Sequence, residues 1–170
     1  MDFRDIVELA LEECKRDLYK ALDGLNREEL TWQPGPESNP IGFLVWHVAR
    51  VEDSWVQRFS QQKPQIWERD GWHTRLGLPQ DATGNSYTPE QVRAFPMPDI
   101  AQVKAYYDAV RAETLAYIKG LTAADLATTR QTPRGASRTI AQALSHLVVE
   151  ESQHMGQTAY LRGLKRGSNK

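Results

Sequence analysis

Disulfide chemistry is the first thing this chain lacks. Its 170 residues contain one cysteine, Cys14, so no intrachain bridge can form. A lone thiol in a charged helical stretch is more often inert than catalytic, and Cys14 is given no role. No apolar run approaches the roughly 20 residues that span a bilayer. The opening Met1-Asp2-Phe3-Arg4-Asp5-Ile6 also lacks a signal-peptide pattern. These absences set the expectation of a cytoplasmic protein with no membrane partner. Excess positive charge is missing too: 21 Lys+Arg stand against 22 Asp+Glu, and no basic tract interleaves with aromatics. Nucleic acid is therefore not a favoured partner.

What is present is a chain with 40% hydrophobic residues, enough for one core and too short for two ordinary domains. A single domain over residues 1–170 is expected. Residues 2–23 carry Ile6, Leu9, Ala10, Leu18 and Leu22 on a helical stripe, with Gly24 as a stop. Asn39 is placed as the cap of a second helix with Pro40 at its first position, running to about Lys63. Its stripe is Ile41, Leu44, Val45, Val48, Trp55 and Phe59. A long segment from 64 to 98, rich in proline and aromatics, follows as a packed, functional loop. A third helix begins with Asp99 and Gln102 in a capping-box pattern and ends at Gly120. A fourth begins with Thr139 and Gln142 in the same pattern and ends near Gly163. Four amphipathic helices without a convincing strand predict an all-α four-helix bundle with a long loop between helices two and three.

Chemistry concentrates on the second and fourth helices. Glu150 and His154 are spaced i, i+4, about 6 Å apart in rise on nearly one face, which is chelating geometry. The halves echo each other weakly, with His47 opposite His146 and Glu52 opposite Glu151. If a pseudo-two-fold axis perpendicular to the bundle relates them, helices two and four run antiparallel, and His47 meets Glu150 and His154. Parallel packing would select His146 and Glu150 instead. Helical phase favours the first set, because His154 lies close to the stripe of Ile140, Leu144, Leu147 and Thr158, with Glu150 on its flank and His146 farther out. Two imidazoles and a carboxylate suit Zn or another late divalent ion, with Mn or Ni tolerated, and leave a coordination position open. The same phase buries Glu52 and Glu151, a costly placement unless each is paired. They are therefore candidates, with His146, for groups that orient the ligand imidazoles.

At these residues the sequence resembles the DinB/YfiT-like superfamily of metal-binding four-helix proteins, in particular the branch near the mycothiol-dependent maleylpyruvate isomerases. The resemblance lies in Trp46-His47-Val48-Ala49-Arg50-Val51-Glu52 and in His146-x3-Glu150-x3-His154-x-Gly156-Gln157. Many such proteins use three histidines; the glutamate at position 150 matches the isomerase-like branch, where His, Glu and His hold zinc. That isomerase carries an additional C-terminal domain, and this chain ends soon after Lys165. The resemblance therefore implies the broader activity: thiol-dependent transfer or isomerisation with a small thiol such as mycothiol or bacillithiol, a small electrophilic substrate, and a homodimer.

On this reading the metal stabilises a thiolate and no protein side chain serves as nucleophile. Trp46, Trp67, Trp72 and Phe95 are candidates to line the substrate approach, and Arg50, Arg134 and Arg162 to hold carboxylates. The competing expectation is a metal-binding stress or carrier protein without turnover.

Overall fold

The computed structural model describes residues 2–132 and 135–167. Four long helices dominate: α1 (Phe3–Leu22), α3 (Ile41–Asp53), α7 (Ile100–Gly120) and α9 (Ile140–Arg166). Short helices α2 (Arg27–Thr31), α4 (Ile66–Arg69), α5 (Trp72–Leu76), α6 (Pro89–Arg93) and α8 (Ala123–Leu126) fill the connections. A small antiparallel ribbon, β1 (Thr129–Gln131) and β2 (Ser137–Thr139), which the apolar pattern did not signal, precedes α9. Among the described residues no helix is long and apolar enough to cross a membrane.

Local chemistry explains most helix starts. Asp2 with Asp5 and Thr139 with Gln142 form reciprocal capping boxes on α1 and α9. Asp99 caps α7 by accepting from Ala101 and Gln102 backbone N–H groups, without the return bond from Gln102 that the pattern predicts. Pro40, not Asn39, is the cap residue of α3; its extended backbone at φ −75° and ψ 157° sets the entry direction without a side-chain bond. Beyond Asp53, α3 continues as a π-helical stretch, Ser54–Ser60, whose wider turns carry Trp55 and Phe59 toward α9 and α7.

Two expected stripes are corrected by the packing. In α1, Ile6 and Leu9 are 61% and 62% exposed, and the buried line is Leu11, Cys14, Leu18, Ala21 and Leu22. The inward face is thus rotated from the expected one. α3 is not amphipathic in place: every residue from Ile41 to Asp53 is buried. The segment 61–98, built around α4, α5 and α6, covers the side that periodicity assigned to solvent.

The helices pack in two directions. His47 meets His154, while Trp55, eight residues on, meets His146, eight residues back; α3 and α9 are therefore antiparallel. Arg50 bonds Tyr106 and Glu52 bonds Arg111, so α3 and α7 ascend together. Between them lies a buried ionic cluster in which Arg111 donates to both oxygens of Glu52, to Glu151 Oε2 and to the Leu11 carbonyl. Tyr107 also donates to Glu151 Oε2. Burial, reinforced by the Glu52 charge, pushes the Glu151 carboxyl well above its usual range, and the Arg111 guanidinium opposes that rise.

Candidate metal centre

Antiparallel packing of α3 on α9 brings His47 and His154 together with ring centroids 5.2 Å apart and ring planes at 78°. Two imidazoles that share one tetrahedral ion through Nε2 have centroids roughly 5 Å apart, given Zn–N distances near 2.0–2.1 Å. Glu150 Oε2 lies 3.4 Å from His154 Nε2. That is long for a hydrogen bond and close to the edge of a tetrahedron, roughly 3.4 Å, between two ligands about 2.1 Å from one ion.

The outer nitrogens are already committed. His47 Nδ1 is 2.9 Å from the Thr83 carbonyl, so it carries the proton and donates it there, leaving the Nε2 lone pair free. His154 Nδ1 is 2.8 Å from Gln157 Oε1, with the same consequence. Burial pushes the His47 imidazole below its usual pKa, which keeps it in the neutral, ligating form. The carboxylate is the less settled member, because Glu150 Oε1 also faces His146 Nε2 at 3.5 Å. Among the described residues no group of three His, Cys, Asp or Glu side chains is gathered tightly enough to hold an ion as it stands. What is set in advance is pairwise: His47 with His154, and His154 with Glu150.

The segment 61–98 contributes to this centre through backbone rather than aromatic walls. Gly84, at φ +77°, presses on the imidazole so closely that a Cβ there would lie 2.6 Å from His47 Nδ1 and 3.0 Å from the Trp46 ring. Phe43 also stacks on His47, with centroids 5.9 Å apart and planes at 8°. Arg50, one turn beyond His47, donates through Nε to the Ala82 carbonyl and through Nη1 to Asp53 and Tyr106. Asp53 in turn accepts from the backbone N–H groups of Ile66 and Trp67, docking α4 onto α3. His47 and Arg50 thus hold consecutive carbonyls of one turn, and the turn holds His47. The i, i+3 pair Arg50 and Asp53 on a helix reading as core was the available signal for this anchor.

The other expected site residues divide as follows. Glu52 and Glu151 are buried as expected, but their partners are Arg111 and Tyr107 rather than an imidazole; Thr83 and Gln157 orient the rings instead. His146 touches Glu150 and Trp55. Trp46 and Trp67 are wholly buried and line no approach, because α3 is covered on all sides and their rings fill that cover. Phe95 packs on Phe43 and Trp46, and Trp72 on Tyr106. Arg50 is an internal anchor, and Arg162 donates to the Ala21 and Asp23 carbonyls at the end of α1. Arg134 lies outside the described residues. Glu150 and His154 keep 27% and 14% of their side-chain surface in solvent, so the donor set is open on the α9 side.

Comparison with known proteins identifies the fold and the family. The fold is similar to that of the crystal structure of the conserved protein of locus from Enterococcus faecalis, with a TM-score of 0.85 over 96% of this chain and 97% of that one; at 20% identity the likeness shows the fold alone. No curated protein matches the sequence. The sequence matches the DinB superfamily over residues 10–158, a stretch that includes His47, Glu150 and His154, and the chain belongs to that superfamily.

Proposed function

We propose that the protein is a metal-dependent thiol transferase or isomerase, of the isomerase-like kind, in which His47 Nε2, Glu150 and His154 Nε2 hold one divalent ion, zinc above nickel or manganese. The observation that carries this reading is the matched pair of imidazoles, each with Nδ1 already donating and Nε2 left free, at a centroid separation suited to one ion. An ion held there supplies a Lewis-acid position that favours the thiolate of an incoming small thiol at neutral pH. The chain's own contribution is to present neutral His47, to hold its ring against Phe43 and Gly84, and to set Glu150 beside His154. Partial exposure of Glu150 and His154 supports access for a thiol and a small electrophile from the α9 side.

A non-catalytic metal-binding role is the second reading. It is favoured by the burial of His47, which is 9% exposed and packed against Phe43 and Gly84, on the α3 side of the donor set. Metal analysis and chelator competition on the purified protein test the ligand set. About one ion per chain is expected, lost in His47→Ala and His154→Ala and largely kept in His146→Ala. Stoichiometric metal in the first two variants refutes it. Titrating mycothiol, bacillithiol and glutathione into cobalt-substituted protein then separates the readings, because only a thiol reaching the ion produces a thiolate charge-transfer band.

A further inference from the structure

The ribbon before α9 sets two arginines directly opposite each other. Arg130 and Arg138 are register partners across the antiparallel pair, so both side chains leave the same face. Like charges so placed are destabilising. Among the described residues neither guanidinium has an ion-pair partner, and Arg130 Nε is buried without a hydrogen-bond acceptor. Arg130 shares its hollow with the carboxylate of Asp125. The hollow of Arg138 contains no acidic residue.

Arg138 also stands at one end of an unbroken line of side chains that leads to the metal donors. Its guanidinium lies 5.8 Å over the Trp55 ring. Trp55 meets His146 edge-on at 5.0 Å, and His146 reaches Glu150 at 3.5 Å. On the outer side of α9 the same stretch is a shallow groove lined by Arg138, Gln142, Ser145, His146 and Val149, the last 49% exposed. From the start of α9 at Ile140 to Glu150 the helix rises roughly 15 Å. At 3.3–3.6 Å per extended residue, a molecule touching both ends has about the length of a tetrapeptide, or of a tripeptide whose end is reached by the arginine side chain.

We infer that this groove is the subsite for a remote carboxylate of the thiol cosubstrate. Arg138 takes the carboxylate, His146 and Val149 flank the middle of the molecule with Trp55 packed against Arg138 and His146, and the sulfur end arrives at Glu150 and His154. The far end of this placement rests on the metal–thiol reading; the anion contact at Arg138 does not. The ligand class is an elongated, anionic thiol of tripeptide size, such as bacillithiol with its malate group or glutathione, in preference to the uncharged mycothiol and to two-carbon thiols.

Two measurements keep the subsite and the metal–thiol reading apart. In metal-free protein, the indole N–H signal of Trp55, assigned with Trp55→Phe, is followed while S-methylbacillithiol is added; this probe keeps the carboxylates and cannot offer a thiolate. The signal is expected to shift, with affinity at least about 10-fold weaker in Arg138→Ala and partly restored in Arg138→Lys, the size of effect typical for a hydrogen bond to a charged group. In cobalt-substituted protein, the charge-transfer band from bacillithiol should need about 10-fold more thiol in Arg138→Ala, while the band from 2-mercaptoethanol stays the same. A silent Trp55, an unchanged affinity in Arg138→Ala, or mycothiol binding as tightly as bacillithiol overturns the subsite. A Trp55 response without any band from any thiol supports the anion subsite and overturns the metal–thiol reading instead.

Discussion

Gly84→Ala isolates how the turn at Ala82–Gly84 governs the candidate metal centre. At φ +77° an alanine pays the left-handed penalty of about 1–2 kcal/mol. Its methyl would also sit 2.6 Å from His47 Nδ1 and 3.0 Å from a ring carbon of Trp46. Trp46 is fully buried among Phe43, Trp67 and Phe95 and has nowhere to go, so either the imidazole or the turn must move. Either movement breaks the 2.9 Å contact of His47 with the Thr83 carbonyl, worth about 1 kcal/mol. The expected loss of stability in metal-free protein is therefore about 2–3 kcal/mol in urea unfolding. Zinc affinity by chelator competition should fall about 10-fold to 100-fold, the range for losing the group that orients a ligand imidazole. Gly77→Ala is the control: φ is +65° and nothing lies within 4 Å of the added carbon, so it carries the backbone penalty alone and should leave zinc affinity unchanged. If Gly84→Ala binds zinc as tightly as Gly77→Ala does, the turn does not position His47.

Three further outcomes follow from the buried charges. The Glu151 carboxyl is held above its usual range by burial first and the Glu52 charge second, so its contribution to stability is complete below the ordinary carboxyl pKa and fades as pH rises through the raised value. Glu151→Gln, neutral throughout, should flatten that alkaline decline in denaturant titrations at several pH values, and, since its partners are Arg111 and Tyr107, leave zinc affinity within about 3-fold, well short of the losses typical of a ligand-orienting group; an equally steep decline would refute Glu151 as its source. Arg50→Ala leaves Asp53 buried without its cation and should cost about 3–5 kcal/mol, with urea unfolding as the check and a loss below about 1 kcal/mol, the level of an exposed pair, as the refutation. The neutral imidazole of His47, depressed by burial, favours the fold above its ordinary pKa and ceases to do so as pH falls through the lowered value; metal-free protein should lose stability on that acid side, and His47→Gln should lose less.

The sequence by itself determined the helices and the residue types that gather at the candidate site. Capping pairs such as Thr139 with Gln142, and the apolar stripe of Ile140, Leu144, Leu147 and Thr158, act within a turn or two of chain, so their consequences are readable locally. The echo between the halves also carried the direction of packing, and with it the pairing of His47 with His154 rather than His146. Tertiary structure alone decided what depends on a covering layer. Periodicity gave α3 a solvent side that does not exist, because the segment 61–98 folds over it and turns Trp46 and Trp67 from candidate pocket walls into core. Burial of Glu52 and Glu151 was legible from phase, but their partner was not, since Arg111 reaches them from a third helix at positions far away in the chain. The contact of Thr83 with His47 was invisible for the same reason: a backbone carbonyl has no side-chain signature, and only the path of the chain places it against an imidazole.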